Sequence, residues 1–192
     1  VRNSWGTAWG DQGYFYMSYY SYNAAAYTAL TGNVAFNMAA DPSGSYAYQY
    51  DPLGWIANYG PGGATPWVAW MANIFTSNAF SETIDKVGFY TTNKAVAYVV
   101  KVYVDANAGP VSGTLKDTDV GNFAYAGYHT VTLTTPVTVQ NKQKFSVVVQ
   151  LTDPNLFTTP IAVQSAMSGY SSRATASNGQ SYISADGLAW TD

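Results

Sequence analysis

The 192-residue chain contains no cysteine. Disulfides are thereby excluded, as is any mechanism that runs through a thiolate supplied by this chain. Charge is scarce as well: Asp, Glu, Lys and Arg make up 10% of the residues and the net charge is −3. Such a chain presents neither the basic field that attracts nucleic acid nor the polybasic run that binds anionic lipid, so nucleic acid is not an expected partner. No apolar run approaches the roughly 18 residues that cross a bilayer as a helix, and membrane insertion is not expected. There is one histidine, His129. With no cysteine beside it, zinc is disfavoured, and no Gly-x-Ser-x-Gly elbow is present to build a serine hydrolase around it.

What fills the chain instead is aromatic and hydroxylated. Phe, Trp and Tyr reach 16%, with 17 tyrosines, and hydrophobic residues reach 47%. Uncharged, hydroxyl-rich surfaces of this kind suit an extracellular or cell-surface β-protein, held together by its core or by a bound ion. Period-two alternation is the dominant pattern. Val96, Tyr98, Val100, Val102 and Val104 share one face, as do Phe145, Val147, Val149 and Leu151. Strands are predicted at residues 67–75, 83–91, 96–104, 122–126, 128–133, 137–139, 144–151, 161–164 and 182–184. Turn formers such as Asn107-Ala108-Gly109, Asn178-Gly179 and Asp186-Gly187 separate several of them. After Tyr46 no helical period is sustained. About nine short strands with such turns predict an all-β, antiparallel β-sandwich over residues 46–192. Residues 23–45, rich in small residues and turn formers, read as a linker behind an N-terminal segment, 1–22.

Four groups of side chains stand out as candidates. Trp55 and Tyr59 lie between turn residues, and exposed aromatic faces there would stack on a saccharide or peptide. Trp67 and Trp70 sit in an apolar run and are expected to pack into the core. Asp105 and Asn107, and again Asp117 and Asp119, place oxygens at alternate positions, a spacing compatible with a structural calcium ion. Ordinary turn formation is the preferred reading of both pairs, and neither matches an EF-hand loop. His129 alternates onto the face of Val131 and Leu133, which predicts a structural, core-facing histidine.

The opening run is different in kind. Asn3-Ser4-Trp5-Gly6, followed by Trp9-Gly10 and Gly13-Tyr14-Phe15, resembles without gaps the asparagine segment of papain-like (C1 family) cysteine peptidases. The resemblance implies that Asn3 orients a catalytic histidine and that Trp5 shields the Asn–His hydrogen bond from water. An amide fixes the imidazole tautomer without adding charge, and excluding water strengthens the bond. Residues 13–22 then read as a returning strand. A second resemblance covers the chain from Tyr46 onward. It is carried by Tyr50-Asp51-Pro52-Leu53-Gly54, Phe89-Tyr90-Thr91, Ala126-Gly127-Tyr128-His129-Thr130, Phe145-Ser146-Val147-Val148-Val149 and Gly179-Gln180-Ser181-Tyr182-Ile183-Ser184. These pieces are similar, in order, to the lectin-like jelly-roll domain found C-terminal to papain-like peptidases in archaea and bacteria.

Together the resemblances imply the C-terminal fragment of a secreted or surface cysteine endopeptidase. Its upstream partner would be a peptidase domain carrying the missing Cys and His. The sandwich would be an accessory module for glycan, cell envelope or protein substrate, and the alternative is a stand-alone carbohydrate-binding or adhesion module without catalysis. With no thiol to act, the purified chain is expected to show no proteolysis and no labelling by an epoxide inhibitor of cysteine peptidases. Peptidase activity in the purified chain would contradict this reading.

Overall fold

The computed structural model describes residues 6–14, 46–60, 67–154, 160–169 and 171–192. The chain divides into two units, Val1–Pro42 and Ser43–Asp192. Asn3 and Trp5, residues 15–22 of the expected returning strand, and the expected linker up to residue 45 lie outside the described residues. Within the first unit, Asp11 and Tyr14 exchange backbone hydrogen bonds of 2.9 Å, and the Gly13 amide donates to the Trp9 carbonyl at 2.7 Å. A glycine is required in this turn. A Cβ on Gly10 would fall 2.5 Å from the Tyr14 carbonyl oxygen, and its φ is +60°.

The second unit is all strand and loop among its described residues. Its strands are β1 (Ala57–Tyr59), β2 (Trp67–Thr76), β3 (Ser81–Thr91), β4 (Val96–Val104), β5 (Thr114–Phe123), β6 (Gly127–Gln140), β7 (Lys144–Asp153), β8 (Ile161–Val163) and β9 (Ser181–Ser184). One sheet has the order β5–β4–β7–β2–β9. The other layer consists of the pairs β3–β6 and β1–β8, with β8 running beside β3. Every named pairing is antiparallel. The layers thus read β1–β8–β3–β6 and β2–β7–β4–β5, the strand order of a jelly roll, with β9 added beside β2.

Alternation produces the core directly. Val96, Val100, Val102 and Val104 of β4 meet Phe145, Val149 and Leu151 of β7. Opposite them lie Val87 and Phe89 of β3 and Val131, Leu133, Val137 and Val139 of β6. Aromatic rings also join the core. Tyr50 stacks on Phe75 at 4.8 Å, and Tyr48 meets Phe145 edge-on at 5.1 Å. Both hydroxyls are satisfied: Tyr50 donates to the Ile74 carbonyl at 2.8 Å, and Tyr48 donates to the Glu82 carboxylate. Ser77 donates to the same carboxylate. Burial opposes ionisation of Glu82, but these hydrogen bonds and two backbone amides outweigh it and lower its pKa.

Three sequence expectations are corrected here. The strands predicted at 128–133 and 137–139 are one, because β6 runs unbroken through both. The intervening Leu133–Pro136 stretch faces only Asp85 on β3, because Ile84 pairs with Val137 and Lys86 with Thr132. Pro136 lacks an N–H, and a bulge is where a strand tolerates it. The strand predicted at 122–126 instead ends at Phe123 and begins at Thr114, so Asp117 and Asp119 lie inside an edge strand. Trp70, expected in the core, is absent from the interlayer cluster. It falls on the outer face of the five-stranded sheet, one residue out of phase with Met71, which packs against the core.

His129 faces inward as the alternation predicts, stacked on Phe123 with ring centroids 3.7 Å apart and planes at 6°. Its Nε2 lies 3.0 Å from the Tyr125 carbonyl and 3.1 Å from Thr91 Oγ1. Burial lowers its pKa, against a smaller opposing effect of the Tyr125 carbonyl. The folded state therefore resists protonation. Stability held above the unfolded value of about 6.5 is lost as pH falls toward the depressed folded value. His129→Phe should keep the stack and remove this acid-side slope. Urea midpoints at about pH 7.5 and about pH 5 would check it, and a slope equal to that of the parent would count against the assignment.

Candidate functional site

The outer face of β3–β6 carries an aromatic platform. Val87, Phe89 and Thr91 of β3 are buried, so Gly88 and Tyr90 point outward. Across the ladder, Tyr128 pairs with Tyr90, and Gly88 with Thr130. The Tyr90 and Tyr128 rings meet edge-on at 5.0 Å, and Trp55 leans on Tyr90 at 6.2 Å. Trp55 is 38% exposed and Tyr128 60% exposed. Three aromatic rings are thus contiguous at the surface.

Two glycines make this packing possible. A Cβ on Gly88 would fall 1.9 Å from the Tyr128 hydroxyl oxygen, so the Tyr128 ring lies across the space a side chain would fill. Gly54, at φ +71°, approaches the Tyr90 hydroxyl, where a Cβ would come within 2.9 Å. The loop that brings Trp55 over the sheet is held at both ends. The Gly54 amide donates to the Asp51 carbonyl at 2.9 Å, Leu53 N–H to Gln164 Oε1 at 2.8 Å, and Ile56 N–H to the Val163 carbonyl at 3.1 Å. The Trp55 indole N–H donates to Asn58 Oδ1.

Asp51 gives the platform a polar group. The residue is exposed, yet local desolvation of its carboxyl raises the pKa, partly offset by a backbone hydrogen bond. The Tyr128 phenol is also raised, first by burial and then by the Tyr90 and Asp51 charges. Asp51 is tied to the platform through Gly54, whose amide donates to the Asp51 carbonyl and whose α-carbon packs on the Tyr90 hydroxyl. Aromatic faces beside a carboxylate acceptor match a sugar, whose C–H faces stack by dispersion while its hydroxyls donate.

Of the residues singled out in the sequence, Trp55 belongs to this platform. Tyr59 does not join it: it pairs with Ile161 in β1–β8, is 41% exposed, and makes no ring contact with Trp55. Tyr90, Tyr128 and Asp51 were missed, although the outward phase of the two tyrosines could be read from the neighbouring Phe89 and His129. The oxygen-bearing residues serve separate structural tasks. Asp105 accepts from Gln143 Nε2 at 2.9 Å. Asp119 takes both the Thr134 amide, at 3.0 Å, and the Thr134 hydroxyl. Asp117 is buried beside it, its Oδ2 without a hydrogen-bond partner. Among the described residues, no three His, Cys, Asp or Glu side chains are grouped to hold a metal.

Gly88→Val should disturb the platform without unfolding the sheet, because the obstructing atom is the far end of an exposed side chain. Stability is expected to stay within about 0.5 kcal/mol of the parent, while the Tyr128 ring resonances shift in NMR spectra. Unchanged resonances would show that Tyr128 does not lie over Gly88.

The model of the lectin-like domain family matches residues 47–192. No curated protein matches the chain. Among solved structures, it is similar to the cysteine protease and lectin-like domains of Cwp84, a surface layer associated protein of Clostridium difficile. That match has 25% identity and a TM-score of 0.51, and covers 62% of this chain and 26% of the other. The clostridial cysteine protease Cwp84 after propeptide cleavage matches at 26% identity and a TM-score of 0.49, over 60% of this chain and 29% of that one. The chain therefore spans less than a third of the solved proteins that it matches.

Proposed function

The chain belongs to the lectin-like domain family, and on that premise we propose that it is the accessory binding module of a papain-like cysteine peptidase that works outside the cell or at its surface. The observation that carries this reading is the contiguous Trp55–Tyr90–Tyr128 platform beside Asp51. The module would hold the enzyme against glycan, cell envelope or a protein substrate. In this arrangement residues 1–22 are the tail of the peptidase lobe, 23–45 the linker and 46–192 the binding domain. Asn3 would orient a histidine supplied upstream and Trp5 would shield their hydrogen bond. Cwp84, a surface layer associated protein, has both a cysteine protease domain and a lectin-like domain, which supports the arrangement and the location alike.

A second reading is a stand-alone carbohydrate-binding or adhesion module without catalysis, supported by the same exposed aromatic platform. Both readings place binding on the same platform. A glycan array followed by calorimetry tests it. Trp55→Ala and Tyr128→Ala should each weaken a measured glycan affinity about tenfold or more, roughly 1.4 kcal/mol, whereas Tyr59→Ala should leave it nearly unchanged. Affinity unaffected by either platform variant would remove the platform from the account. A cysteine and a histidine encoded upstream of Val1 in the same gene product would decide for the peptidase.

A further inference from the structure

The opposite layer carries a second surface, chemically distinct from the platform. Pairing of β4, β7 and β2 sets their outward side chains in rows: Trp70, Gln150 and Val99 in one, and Ala72, Val148 and Lys101 in the next. With strands spaced about 4.8 Å apart, each row is about 10 Å wide. Trp70, Lys101, Tyr103 and Gln150 line a shallow, open depression of about 50 Å³ on this face. The Asp186–Gly187 turn closes against one wall. A Cβ on Gly187 would stand 2.9 Å from Trp70 Nε1, so a glycine there lets the loop reach the indole edge. Hydrogen bonds to Asp186 fix that turn, from the Leu188 and Ala189 amides at 2.8 Å each and from Ser184 Oγ at 3.0 Å. The Gly187 amide in turn donates to Ser184 Oγ at 2.9 Å.

Lys101 is half-buried in this depression, and among the described residues no carboxylate forms an ion pair with it. A positive charge partly withdrawn from water, with no internal partner, is complementary to an external anion. The neighbours define the rest of the ligand. Trp70 offers an apolar ring, Gln150 an amide that both donates and accepts, and Tyr103 a phenol. The site is on the face of a sheet whose ladder groups are already paired, so an extended peptide would find no main-chain partners there. We propose that this groove binds an acidic saccharide unit, a sugar ring bearing a carboxylate, with the ring against Trp70, hydroxyls to Gln150 and Tyr103, and the carboxylate on Lys101.

The purified chain should be titrated calorimetrically with trigalacturonate and, separately, with its methyl ester, which keeps the rings and removes the charges. The acid should bind at least about tenfold tighter than the ester, with an affinity that falls as salt rises. Lys101→Gln should lower acid affinity to the level of the ester and leave ester binding unchanged, and Gln150→Ala should weaken both. Lys101 and Gln150 are only partly buried and lie outside the interlayer core, so these variants are expected to fold. Equal affinity for acid and ester, no binding of the acid, or a preference that survives Lys101→Gln would overturn the proposal. Loss of acid binding in Tyr128→Ala but not in Lys101→Gln would assign the ligand to the platform, overturning the groove while leaving the proposed function intact.

Discussion

The register of β7 between β2 and β4 is the constraint on which the rest of the second unit depends. In the observed pairing Phe145, Val149 and Leu151 enter the interlayer space, while Ser146, Val148 and Gln150 face the other way. A slip of one residue would exchange the two sets, putting a serine and a glutamine into the core and two large apolar side chains outside it. The opposite face tolerates no slip either, because buried Ser146 there donates its hydroxyl to the Pro110 carbonyl. The same register puts Gln150 beside Trp70, two rows of side chains across from Tyr103. Core and outer surface are therefore fixed by a single choice.

A protein without disulfides holds this arrangement by aromatic packing and by side chains that close gaps between layers. Phe75 and Phe145 lie at the centre of one such cluster, flanked by Tyr48 and Tyr50. At the other side, edge strand β5 turns Asp117 and Asp119 inward, opposite Val102 and Val100. Inward charge discourages an edge from recruiting another strand. Asp119 also gains a structural role, because the β6 bulge leaves the Thr134 amide without a partner on β3 and the carboxylate takes it. That hydrogen bonding, first from the Thr134 hydroxyl, holds the Asp119 pKa below its ordinary value.

Much of the sandwich is legible in the sequence because burial on one face imposes a two-residue period. That signal places β3, β4 and β7 almost to their ends and puts His129 on its correct face. It fails where burial does not act. The first half of β5, Thr114 to Asp119, is an edge of mostly hydrophilic residues that resembles a turn, its one buried residue being the carboxylate Asp117, and β1 is only three residues long. Trp70 misleads for the opposite reason: β2 belongs to a sheet whose outer face is also half-covered, so apolar character could not tell inside from outside. The platform needs long-range pairing to be seen, since Tyr90 and Tyr128 meet only once β3 and β6 are in register. The opening motif carries chemistry by resemblance alone, for Asn3 and Trp5 fall outside the described residues.

A rigid core that presents two outward aromatic surfaces confines the response to a ligand to those surfaces. That response can be read by following backbone amide shifts of the isotope-labelled chain as soluble cell-envelope polysaccharide is added. The account predicts shifts confined to the outer faces: Asp51 to Ile56, Gly88, Tyr90 and Tyr128 on one layer, and Trp70, Lys101 and Gln150 on the other when the polysaccharide is acidic. Core positions such as Val100, Val149 and Leu151 should stay still. Shifts spread through those core strands, or none at any concentration, would contradict it.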